Sequence, residues 1–132
     1  MYVPPEWPAE VRPPSVPDWE SSATTWLLDA LPPDYRLHEV LRRFPIALAS
    51  MASYHVNSAI EAARAGYRKA AVDLKDHLPP HAVEAVLDVY RHEGPRLVRL
   101  ARSIDVVGHA LRGEGFTATL RGRGRPTGPS SG

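Results

Sequence analysis

Apolar side chains recur along residues 45–111 at steps of three and four, in two runs separated by a polar, proline-containing break. The first run is Ala49, Ala52, Val56, Ala59, Ala63, Gly66 and Ala70. The second is Val83, Leu87, Tyr90, Gly94, Leu97, Ala101, Ile104, Gly108 and Leu111. Such steps put each set on one stripe of an α-helix, the stripe along which helices pack. The pattern predicts helices over 45–76 and 80–112, joined by Asp76-His77-Leu78-Pro79-Pro80. A connection this short makes the two antiparallel neighbours, a long helical hairpin. Small residues dominate one seam and larger ones the other, so the backbones can approach closely. Gly94-Pro95 falls inside the second run, yet the apolar phase continues through it, which predicts a kink and not a break.

Two shorter segments precede the hairpin. Trp19, Ala23, Trp26, Leu27 and Ala30 recur at helical spacing, predicting a helix over 18–31 with Asp18 as its N-cap and Glu20 near the positive end of the dipole. A second helix is expected over 34–44, capped by Asp34, with Leu37, Val40, Leu41 and Phe44 apolar. Pro45 suits the first turn of the long helix that follows. The fold class is therefore all-α: a long antiparallel hairpin plus two short N-terminal helices, forming a small bundle over 18–112.

Flanking this domain are segments of different composition. Residues 1–17 carry six prolines, which predicts an extended arm with Trp7 as its informative anchor. Residues 113–132 hold six of the nine glycines and no periodicity, the composition of a disordered tail. Apolar positions Ile46, Ile60, Tyr67 and Leu74 lie off the seam of the third helix. The short helices cover that flank only if they lie end to end, so an exposed stripe and a homodimer are expected. Trp7, Ile60 and Tyr67 are the candidate partner-binding residues.

Charge changes the picture more than composition does. The net charge is only +1, but residues 1–41 hold seven acids against Arg12 and Arg36, a balance of −5. Residues 96–132 hold seven arginines against Asp105 and Glu114, a balance of +5. An acidic front and a basic rear can attract one another between copies, and a basic rear can meet nucleic acid. The absence of cysteine excludes disulfides, thiolate metal sites and cysteine nucleophiles, and fits a reducing cytoplasm. No secretory pattern or membrane-spanning run is expected, so the membrane is not a partner.

Six histidines raise the question of a metal, but neither His-Glu-x-x-His nor Glu-x-x-His occurs. His81, Glu84, Asp88 and His92 share one helix face near the turn, where ion pairing is the expected role. His55, beside the small-residue seam, is expected to be a partly buried histidine bonded to the facing helix. No nucleophile elbow, phosphate loop or dinucleotide fingerprint appears, and neither a cofactor nor a catalytic residue is assigned.

The tail carries the sharpest motif. Arg121-Gly122-Arg123-Gly124-Arg125-Pro126 resembles the core of an AT-hook, in which an extended Arg-Gly-Arg-Pro lies in the minor groove of A·T-rich DNA. Glycine lets the backbone lie deep and arginine seeks the negative potential there. Arg121, Arg123, Gly124, Arg125 and Pro126 are thus the candidate DNA contacts, although Thr127 and Gly128 replace the usual downstream lysines. Pro5-Glu6-Trp7-Pro8, Asp18-Trp19-Glu20 and Pro33-Asp34-Tyr35-Arg36 give the whole chain a resemblance to small helical actinobacterial proteins of unknown role. That resemblance implies a cytoplasmic bacterial protein and brings no activity with it. The expectation is a non-enzymatic helical module that binds another protein, with a DNA-associated protein as the alternative.

Overall fold

The computed structural model describes residues 3–113. The chain is all-helical among them: α1 (Trp19–Asp29), a 3-10 helix (Pro33–Leu37), α2 (Glu39–Arg43), α3 (Pro45–Leu74) and α4 (Pro80–Leu111). The two long helices, of 30 and 32 residues, pack against each other. Gly108 lies against Ala49, and Gly66 against Tyr90. Chain position rises on α3 as it falls on α4, so the two run in opposite directions. The small-residue stripe faces inward as its spacing predicts: Ala49, Ala52, Val56 and Ala70 are buried, and Ala59, Ala63 and Gly66 half-buried.

Each long helix begins with proline, which fixes φ where no hydrogen-bond donor is needed. α4 ends at Leu111, with Gly113 at φ 78°, the left-handed stop glycine adopts without strain. Pro95 leaves α4 continuous, so the carried-through apolar phase prevailed over the lost hydrogen bond.

The core is lopsided. Its buried members are Val11, Trp19, Ala23, Leu27, Leu28, Leu31 and Leu41, together with α3 only as far as Ile60 and α4 only at Ile104 and Val107. Leu97, Val98, Leu100 and Ala101 are half-buried against it. The short elements thus cover the base of the long pair, where α3 begins and α4 ends. Beyond Ile60 and before Leu97, Ala70 is the buried hydrophobic residue.

Several expectations are corrected. The proline-rich arm is not extended over its described residues. It folds in successive turns closed by Trp7 N–H to Pro4 O (3.1 Å), Val11 N–H to Pro8 O (3.2 Å) and Val16 N–H to Pro13 O (2.9 Å). Proline favours turns as well as extended chain, and here burial of Val11 decides between them. Asp18 is the N-cap residue of α1 as expected, but its side chain caps no backbone N–H: its φ is 61°, and its carboxylate accepts the Ser21 hydroxyl (3.3 Å). The helix expected over 34–44 is split, because His38 is extended (φ −96°, ψ 102°) between the 3-10 helix and α2. That break resets the helical phase, leaving Leu41 buried and Leu37, Val40 and Phe44 exposed. Asp34 therefore lies within a 3-10 turn and caps no α-helix.

Folding of the arm into the core generates a prediction. Val11→Ala removes two buried methyl groups and should lower unfolding free energy by roughly 1–3 kcal/mol. Urea denaturation measures it, and an unchanged midpoint would mean that the arm lies free of the body.

Candidate functional site

The half of the long pair beyond the core is where the molecule offers a site. Gly66 makes the first element. A Cβ built there would lie 2.3 Å from Tyr90 Oη and 2.4 Å from Cζ, so only glycine lets the ring approach α3 this closely. Tyr67, next in the chain, is exposed on the same helix, and the Arg91 guanidinium lies 5.5 Å from its ring centroid. Arg91 is held in that position from its own helix: Nη1 donates to Glu84 Oε2 at 2.7 Å and to Asp88 Oδ1 at 2.6 Å. The bonds to Glu84 and then Asp88 push the Arg91 pKa up from a value at which arginine is already a cation, and they place that cation near the Tyr67 ring.

Between the helices these side chains frame a groove of about 430 Å³, with Ile60, Ala63, Tyr67, Tyr90, Pro95 and Val98 as its apolar walls. Arg64, Arg68 and Arg91 stand along it. Arg64 is neutralised by Glu61 at 2.6 Å, whereas no carboxylate among the described residues lies within ion-pair distance of Arg68. Nearby, Glu93 accepts a forked bond from Arg96 (3.1 and 2.8 Å to Oε1), which holds its carboxyl below the ordinary value.

The predicted partner-binding residues meet different ends. Ile60 and Tyr67 come together on the groove, but Ile60 is 7% exposed and belongs to the edge of the core. Tyr67, at 42%, is open to solvent. Trp7 is elsewhere: half-buried at the base, its ring 5.5 Å from that of Trp19 and its indole N–H donating to Val11 O at 2.9 Å. Arg121, Arg123, Gly124, Arg125 and Pro126 lie outside the described residues.

His55 is exposed and not buried. One position from Val56 is 100° around the helix, enough to carry it off the seam, and its ring lies 6.5 Å from that of Tyr35. Around the turn, Glu84 and Asp88 form ion pairs as expected, though with Arg91, a residue the pattern reading passed over. Its signal was present as Asp88 and Arg91 at i,i+3. His92 Nδ1 instead lies 2.8 Å from the Asp88 carbonyl. A second apolar patch, at the base, follows from the split helix: Leu37, Val40, Phe44 and Ile46 are all exposed. Among the described residues no helix is long and apolar enough to cross a membrane. Comparison of the chain with models of known protein families, with curated proteins and with solved structures finds no match.

The Gly66–Tyr90 contact is testable by a double-mutant cycle. Alanine in place of a helical glycine gains about 1 kcal/mol of propensity, but with Tyr90 present the ring must swing away. Gly66→Ala should therefore be neutral or destabilising in the native chain and stabilising by about 1 kcal/mol in a Tyr90→Ala background. Equal effects in both backgrounds would show that the two residues do not meet.

Proposed function

We propose that the protein is a non-enzymatic helical interaction module. In this reading α3 and α4 form a long antiparallel hairpin whose base is closed into a small bundle by the short N-terminal helices. Its distal half stands out as a docking surface. The observation that carries the reading is the exposure of large apolar side chains beyond the core: Tyr67 at 42%, Val72 at 68%, Leu78 at 36% and Val89 at 58%. Tyr67 lies on the groove, and Val72, Leu78 and Val89 extend apolar exposure around the rest of the distal half, surfaces that a helix or another apolar face can cover. The exposed patch at Leu37, Val40, Phe44 and Ile46 gives the same module a second place to dock.

A second reading, a DNA-associated protein, rests on the AT-hook-like string at residues 121–126 and on the exposed Arg99, Arg102 and Arg112 of the basic rear. A mobility shift on A·T-rich and G·C-rich duplexes at about 50 mM salt tests it. Loss of binding on deleting residues 115–132 supports it, and no shift on either duplex removes it.

The leading reading predicts selective loss from variant baits. A protein retained by the native chain should be lost from Tyr67→Ser/Val89→Ser bait or from Leu37→Ser/Phe44→Ser bait, since both pairs are surface positions. Binding that survives both, or columns that retain nothing, would sink the interaction reading. Surface substitution is the fitting tool, because deleting residues 1–17 would also remove the buried Val11.

A further inference from the structure

We infer that the distal groove is covered by a second copy of this chain, two hairpins joining tip beside tip as a four-helix bundle. The inference rests on the interaction reading above and names the partner of one of its surfaces.

Helical geometry shows which side is free. His55, which meets Tyr35, lies on the flank of α3 that continues through Leu48 and Ala62. Arg64 and Asn57 lie on the opposite flank, and both are exposed. The groove therefore opens on the side away from the 3-10 helix, and a second copy can approach it without displacing that element. From Ile60 to the end of α3 the face is about 21 Å long, and from Pro80 to Val98 on α4 about 27 Å, with a width of about 20 Å, at 1.5 Å per residue and two helix diameters. That is roughly 500 Å² on each copy, a total close to the lower bound of about 1,000 Å² for a specific interface, so charge complementarity has to add to area.

Charge selects the partner and its direction. The contacts Ala49–Gly108 and Gly66–Tyr90 fix the register of α3 on α4, and they set Arg68 level with Asp88. When two copies pair about an axis along the hairpin, α3 of one lies over α4 of the other. Arg68 of each, which has no carboxylate partner among the described residues, then meets Asp88 of its mate, which has an exposed carboxylate shared with Arg91. Pairing with tips opposed would instead lay α3 over α3 and bring Arg64 and Arg68 of both copies to the same edge. Like charges so placed disfavour that arrangement. Tyr67 and Tyr90 fill the apolar middle in either copy, an isologous contact in which the same patch serves both sides.

Sedimentation equilibrium at micromolar concentration should give the mass of two chains. Arg68→Glu alone and Asp88→Arg alone should each weaken the dimer at least about tenfold, because each creates two like-charge contacts. Mixed in equal amounts, the two variants should pair again. The carboxylate introduced at position 68 of one chain then meets the guanidinium introduced at position 88 of the other, and the second contact is native. A variant that failed to fold could not be rescued by mixing, and circular dichroism on each chain checks this independently. Spin labels at His77→Cys, the sole thiol in a cysteine-free chain, should report a short tip-to-tip distance. A single-chain mass at every concentration, mixing without rescue, or a long label distance would each overturn the proposal. If the chain is monomeric while Tyr67→Ser/Val89→Ser bait still loses a protein partner, self-pairing fails and the interaction reading stands. If it is monomeric and no surface substitution alters capture, both fail.

Discussion

Close approach of two backbones is the constraint from which the rest of this molecule follows. Alanines and a glycine on the inner stripe of α3 let α4 lie near enough for Gly108 to meet Ala49 and for the Tyr90 ring to rest on Gly66. Small side chains carry little apolar area, however, and burial stabilises roughly in proportion to area. A seam built this way needs a third layer. At the base Trp19, Leu27, Leu28, Leu31, Leu41 and Val11 supply it, and the side chains there are almost fully buried. Farther out the seam continues with the same spacing and without the layer. One packing choice thus yields a closed base and an open end.

Electrostatics at the open end act on orientation more than on stability. Exposed ion pairs contribute little each, but Arg91 is gripped by two carboxylates of its own helix and so stays over Tyr67. The groove is thus rimmed by charge, and its apolar walls are framed by guanidinium groups that never lose it. A surface of that kind favours a partner with both an apolar face and a carboxylate, which α4 itself possesses. Such complementarity sets partner choice and register more than raw affinity.

How far the sequence could be read depended on whether a position's fate was decided within its own helix. The α3 stripe from Ala49 to Ala70 was legible because a spacing of three and four has one geometric meaning. Pro95 was legible too, since the phase on either side of it agrees. Ile60 and Tyr67 look alike in sequence, on the same flank of the same helix, but the covering layer ends between them. Only the placement of other elements separates a core residue from a surface one there. His55 was misread by a single position, which on a helix is 100°. Leu37, Val40 and Phe44 were misread because an extended His38 divides what the spacing made one helix. Prolines in the arm signalled an interrupted chain, and the turns that bring Val11 and Trp7 home depend on a body to fold against. The groove itself required Gly66 to be matched with Tyr90 across the turn, which the periodicity of either helix alone does not encode.

Pro95 lies where the covered and uncovered parts of α4 meet, just before Leu97. Having no N–H, it leaves the Arg91 carbonyl without the donor that an α-helix normally provides. One rod thereby has two unequal parts: a base tied into the covering layer, and a tip held by the contact between α3 and α4. An association there would give the tip the layer that the base already has within one chain.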